Sequence, residues 1–261
     1  ASSLIAVADT LADNYNHQLY YTAPATIWEE TLPLGNGRLG MMPDGGIDKE
    51  HIVLNEISLW SGMEADYGNP DASRSLPAIQ QLLFEGKNKE AQELCGPTIC
   101  SPSANGMPYQ TVGSLHLDFN GISNYNDYYR DLDIAKAIAT TRFTANGVTY
   151  TREAYTSFPD QVLVIRLTAS QKKSISFTAK YTTPYKSNVV RSISSRKELQ
   201  LNGKANDHEG IEGKVKFTTL TRIENSGGSL EATSDSTLQV KNANSVTLYV
   251  SIGTNFVNYK D

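Results

Sequence analysis

Residues 174–181 read Ser174-Ile175-Ser176-Phe177-Thr178-Ala179-Lys180-Tyr181, with an apolar side chain at every second position. A period of two sets Ile175, Phe177, Ala179 and Tyr181 on one face and the polar residues on the other, the pattern of a half-buried β-strand. The same alternation recurs on both sides of this stretch. Leu163, Ile165 and Leu167 alternate with Val164, Arg166 and Thr168, and Val215, Phe217, Thr219, Thr221 and Ile223 form a longer run. Val246, Leu248, Val250 and Ile252 close the series. From about residue 110 onward the chain predicts strand after strand.

The turns agree. Asn146-Gly147 lies between Thr141–Ala145 and Val148–Glu153, and Asn202-Gly203 follows Glu198–Leu201. Both are two-residue hairpin signals, because a type I′ turn needs φ > 0 at both central positions. Many strands, short turns and no repeat of fixed period predict a sandwich or barrel rather than a propeller. One stretch departs from this. In Ser75–Leu94 the residues Leu76, Ile79, Leu82, Leu83, Phe84, Ala91 and Leu94 fall at helical spacing, with Ser75 and Pro77 suited to a helix start and Gly86 to a break. The prediction is two short helices with their apolar stripe facing the core.

The chain has 261 residues, 20% of them charged and 39% hydrophobic, enough to bury a real core. A formal net charge of −5 and a pI near 5.5 argue against a broad grip on nucleic acid or anionic lipid. No apolar run approaches the ~18 residues of a membrane span. Fourteen Tyr, nineteen Gly and abundant Ser, Thr and Asn suit an extracellular or periplasmic β protein. The first residue is Ala1, so either a signal peptide has been removed or the sequence is trimmed, and the letters do not separate the two. Cys95 and Cys100 have four residues between them, in a stretch with Gly96 and Pro97, read as a loop. They are a candidate disulfide for an oxidising compartment, the alternative being two unpaired thiols. No second Cys/His pair sits at zinc-ligand spacing, so no metal is expected, and no cofactor either.

Gly35-Asn36-Gly37-Arg38-Leu39-Gly40 matches the dinucleotide fingerprint letter for letter. That fingerprint needs a buried strand before it and a helix opening at its third glycine. Pro33 before it and Met41-Met42-Pro43-Asp44-Gly45-Gly46 after it do not open a helix. The acids come in local pairs: Glu29 with Glu30, Asp48 with Glu50, Asp131 with Asp133. A glycosidase needs two carboxyls on opposite sides of the scissile bond, usually from distant segments. Asp131 and Asp133, with Arg130 beside them, read as a solvated edge. The four His lack ligand spacing, and there is no G-x-S-x-G elbow. These residues alone form no self-contained active site.

Residues 32–62, LPLGNGRLGMMPDGGIDKEHIVLNEISLWSG, read as a whole, give more. Trp28, Glu30, Leu32-Pro33 and the Gly35–Gly40 run are followed by Gly45-Gly46, Glu50, Leu54-Asn55-Glu56 and Leu59-Trp60-Ser61-Gly62. Further on stand Asn69-Pro70-Asp71-Ala72, Tyr129-Arg130-x-Leu132-Asp133-Ile134, Gly147–Glu153 and Pro159-Asp160-Gln161-Val162. Together these closely resemble the N-terminal part of glycoside hydrolase family 95, the inverting α-L-fucosidases and relatives, across about residues 20–165. Met41–Asp44, Ile57 and the Cys95–Cys100 segment depart from the family pattern.

The resemblance implies an all-β, two-sheet antiparallel super-sandwich over residues 1–261, a single domain with the helical insertion near 75–94. It also implies that the catalytic residues lie in an (α/α)6 barrel following this domain, with the linker starting near Thr254–Tyr259. No catalytic residue is carried over. The expected partners are that barrel and, for the whole enzyme, a fucosylated glycan; the alternative is a free-standing carbohydrate-binding or structural module. Asn36, Arg38, Glu56 and Trp60 are the candidates for the inter-domain or active-site rim, since glycines allow close approach and Arg38 offers a planar fork of donors. The competing internal reading makes Trp28 and Trp60 core and pairs Glu56 with Arg38.

Overall fold

A computed structural model describes residues 17–66, 68–101, 106–119, 121–122, 124–185 and 189–258. The chain start at Ala1 and the expected linker residue Tyr259 lie outside the described residues. By its contacts the chain separates into two compact units. The first takes the described parts of 1–59, 111–204 and 216–261, and the second takes 60–110 and 205–215.

All sixteen described strands belong to the first unit. They run β1 (Gln18–Tyr21), β2 (Leu34–Gly35), β3 (Leu39–Pro43), β4 (Lys49–Glu56), β5 (Gly113–Asp118) and β6 (Tyr125–Asp133). Next come β7 (Ile138–Ala145), β8 (Val148–Ser157), β9 (Val162–Ala169), β10 (Ile175–Thr182) and β11 (Val189–Ile193). The last five are β12 (Leu199–Lys204), β13 (Lys216–Ser226), β14 (Ser229–Ser234), β15 (Thr237–Ala243) and β16 (Ser245–Thr254). One sheet has nine strands in the order β1-β6-β7-β8-β9-β16-β13-β12-β11, the other seven in the order β14-β15-β10-β5-β4-β3-β2. Every pairing is antiparallel. This is the two-sheet, all-β architecture the periodicity predicts.

The alternating residues bury as expected. Phe177, Ala179 and Tyr181 of β10 and Leu248, Val250 and Ile252 of β16 are all core, as are Leu163, Ile165 and Leu167 of β9. Each such large side chain withdrawn from water contributes about 1.5–3 kcal/mol. Tyr181 of the seven-stranded sheet shares a hydrogen bond with Thr221 of the nine-stranded one, so the buried Thr221 hydroxyl has a partner.

The Asn146-Gly147 hairpin forms as predicted: both residues have positive φ, 51° and 74°, and Ala145 pairs with Val148. Asn202-Gly203 does not turn. β12 runs straight through it, because β11 and β13 flank it on both sides and an extended ladder satisfies both its edges. Gly203 serves instead as the space for a ring. A Cβ there would lie 2.4 Å from Phe217 Cε1 and Cζ.

The second unit carries the helices α1 (Ala72–Phe84) and α2 (Asn88–Ile99), separated at Gly86. α1 starts earlier than Ser75 because Asn69 already begins the turn, accepting from the Asp71 and Ala72 amides. The core-facing stripe is corrected: Ile79 and Ala91 are buried, while Leu76, Leu83 and Phe84 are exposed. The expected Cys95–Cys100 loop is corrected too. Cys95 lies within α2, which continues past Pro97 to Ile99, and the Cys100 amide donates to the Cys95 carbonyl at 3.3 Å. Both cysteines stand as free thiols.

Candidate functional site

The glycine-rich signature folds as a hairpin, β2 into β3, with Leu34 opposite Met41 and Gly35 opposite Gly40. No helix opens after Gly40, so nothing there can cradle a pyrophosphate. Asn36 shapes the turn: its Oδ1 accepts the amides of Arg38 (3.1 Å) and Leu39 (2.8 Å), and its Nδ2 donates to the Ser157 carbonyl at 2.9 Å. Arg38 Nε meets Glu56 Oε1 at 3.2 Å and Nη2 donates to the Ile252 carbonyl at 3.1 Å. Glu56, itself buried, also accepts from Ser58 N and Oγ at 2.7 and 2.6 Å. Asn36, Arg38 and Glu56 are thus brought together and tie the signature of one sheet to β8 and β16 of the other.

Trp60 belongs to the second unit, where it stacks edge-on with Tyr109 at 5.1 Å. The reading of Trp28 and Trp60 as core is corrected, since they are 59% and 46% exposed. Each lies in irregular chain, Trp28 at the head of a 3-10 turn, so no strand period directs it inward.

The centre of the first unit holds a charged cluster that sequence reasoning missed. Glu50, on β4, is buried and paired with Arg152 of β8. Its Oε1 also accepts the Gly45 amide at 3.1 Å. Arg152 further donates to the carbonyls of Gly46 and, at 2.8 Å, Ile47, and its guanidinium lies over Phe119 at 4.1 Å. Burial pushes the Glu50 carboxyl above its usual range, against the pull of Arg152. Tyr128 donates to the Gly45 carbonyl at 2.8 Å, and burial, with Glu50 adding to it, raises its phenol well above the ordinary value. Gly45 has φ +70°, and a Cβ there would lie 2.6 Å from Tyr128 Oη and 2.8 Å from Arg130 Cδ. Only glycine fits so close to these side chains.

Arg130 and Asp131 are 1% and 5% exposed, which corrects the solvated-edge reading of this segment. Arg130 donates to the carbonyls of Ala23 (2.9 Å) and Glu30 (2.6 Å), and Asp131 accepts from Gln18 of the neighbouring β1. β1 covers the segment, a pairing that local letters do not announce. The signal that could have found the cluster is phase. Glu50 and Glu56 keep step with Ile52 and Leu54, and Arg152 keeps step with Val148 and Ala154.

Two further acids of the sequence pairs, Glu30 and Asp133, have local partners. Glu30 is held below its ordinary pKa by the Thr26 amide and hydroxyl, and Asp133 by Lys136. The cavity beside Glu50 and Arg152 is about 10 Å³, room for one water and far too small for a sugar. The charged centre ties β4 of one sheet to β8 of the other. Among the described residues no group of three or more metal-ligating side chains occurs, and no helix is long and apolar enough to cross a membrane.

A two-sheet antiparallel sandwich locked by its own glycine-rich signature defines the class. The chain belongs to the family described as Glycosyl hydrolase family 65, N-terminal domain, whose model matches residues 19–259. It is 29% identical to Alpha-L-fucosidase 2 of Arabidopsis thaliana over 92% of this chain and 30% of that protein. It is 32% identical to Probable alpha-fucosidase A of Aspergillus niger over 58% of this chain and 21% of that protein. With the protein of the same name from Aspergillus oryzae it shares 26% over 90% and 33%. The chain thus spans about a third or less of the curated relatives it matches, as an N-terminal domain of a glycoside hydrolase.

Proposed function

We propose that this chain is the non-catalytic N-terminal domain of an inverting α-L-fucosidase of family 95 type, supporting and docking on a helical catalytic barrel. The whole enzyme cleaves terminal α-L-fucosyl or related L-galactosyl linkages in periplasmic or extracellular glycans, with no cofactor. One observation carries the reading. Nearly the whole chain aligns with under a third of a protein named Alpha-L-fucosidase 2. The inward commitment of Glu50 and Glu56 supports it, since carboxylates held by Arg152, Arg38 and Ser58 are not free to protonate a leaving group or activate water. In this reading Asn36 and Glu56 shape the signature loop, while Arg38 and Trp60, both partly exposed, face the barrel.

The rival is a carbohydrate-binding module. Calorimetry of the chain with L-fucose and fucosylated oligosaccharides separates the two. The proposal predicts no saturable heat; a saturable isotherm overturns the supporting role and favours the binding module.

A further inference from the structure

Four large apolar side chains stay in solvent at one end of the first unit: Ile57 (58% exposed), Phe158 (71%), Phe256 (46%) and Val257 (71%). Hydrogen bonds gather the segments that carry them. The Ile57 amide donates to the Arg38 carbonyl at 3.0 Å, and Ser58 Oγ meets Thr254 Oγ1 at 2.6 Å. Asn36 reaches the carbonyl of Ser157, the residue before Phe158, and Arg38 reaches that of Ile252 on the strand that leads to Phe256. The β2–β3 turn, the loop after β4, the turn after β8 and the segment leaving β16 therefore share one end. Among them Arg38 keeps 44% of its side chain exposed although Glu56 and Ile252 hold its nitrogens.

An exposed apolar patch rimmed by polar groups marks an interaction surface, and Phe and Arg are enriched in such surfaces. Resting on the function proposed above, we propose that this end is the surface on which the downstream catalytic domain packs. Phe158 and Phe256 are its anchors, and Arg38 is the donor for a facing carboxylate or carbonyl. The matched family is an N-terminal domain whose model runs to residue 259, and the relatives are about three times as long as the aligned region. Their remaining length therefore follows a segment that already carries Phe256 and Val257 through the patch. The exposed Leu76, Leu83 and Phe84 of α1, in the second unit, make a competing face.

The test is hydroxyl-radical footprinting of the full-length enzyme, read by mass spectrometry at single phenylalanines. Phe143, fully buried, sets the protected rate, and an unfolded phenylalanine peptide sets the exposed one. The proposal predicts Phe158 and Phe256 near the protected rate, roughly tenfold below the peptide, because interface cores pack like interiors. It also predicts that Phe158→Asp raises labelling at Phe256. Labelling of both at the exposed rate overturns the proposal, and protection of Phe84 in its place assigns the docking to α1. Turnover of an aryl α-L-fucoside is measured on the same sample. Exposed anchors in an active fucosidase refute this surface alone, whereas protected anchors in a protein without that activity support the surface and refute the substrate reading.

Discussion

Glu50 and Arg152 bury two opposite charges in the core, and that choice has a measurable consequence. Removing one member of a buried pair leaves the other desolvated, which costs about 3–5 kcal/mol, whereas replacing both with apolar groups is often neutral. Arg152→Met is therefore expected to lower stability by about that amount, and Arg152→Met with Glu50→Leu to recover only part of it, since the Gly45 amide and the Gly46 and Ile47 carbonyls still lose their partners. Urea unfolding midpoints check this; a single-variant loss under about 1 kcal/mol would mean the pair is solvated after all. His116 gives a second prediction at this scale. It stacks on His51 across β5 and β4 at 4.7 Å, and its Nε2 lies 2.7 Å from Thr182 Oγ1. Burial, then the His51 charge, lowers its folded pKa; Asp118 and Asp44 oppose this and Lys180 adds to it. The unfolded imidazole takes its proton near 6.5, the folded one only at lower pH. Below about 6.5 the unfolded state thus binds more protons and this contribution to stability declines as pH falls. His116→Gln should flatten that part of the stability–pH curve, and an unchanged slope would remove His116 as its source.

At the scale of elements, two glycines test two different roles. Gly147 has positive φ and nothing within 4 Å of a would-be Cβ, so Gly147→Ala meets only the left-handed backbone cost, about 1–2 kcal/mol. Gly203→Ala forces a methyl into the Phe217 ring and should cost about 1–3 kcal/mol through overpacking, relieved by Phe217→Leu. Thermal unfolding of these variants and of Phe217→Leu alone decides this; no relief in the double variant would separate Gly203 from the ring. The two positions also mark what the sequence could reveal. Period-two alternation locates β9, β10, β13 and β16 because each has a face turned to the core. Asn146-Gly147 is legible because its flanking strands pair with each other. Asn202-Gly203 is not, because its fate depends on β11 and β13 lying on either side. The Glu50–Arg152 lock joins residues 102 apart in sequence, so only the phase of the charges hinted at it. Leu76, Leu83 and Phe84 show the opposite failure: helical spacing identifies a stripe but not what covers it.

For the whole molecule, two sheets with half the residues in strands and 12% in helix set a simple spectroscopic expectation. Circular dichroism should show a β-dominated spectrum; helix approaching a third of the residues would contradict the architecture. A locked sandwich, inward-committed carboxylates and partial coverage of longer fucosidases together support the proposed support domain, whose chemistry would lie elsewhere. The measurement that addresses it most directly compares hydrolysis of an aryl α-L-fucoside by the full-length protein and by purified residues 1–261, with the sugar anomer followed by NMR. The account predicts turnover with inversion by the longer protein and none by residues 1–261 shown to be folded. Turnover by residues 1–261 alone would contradict it.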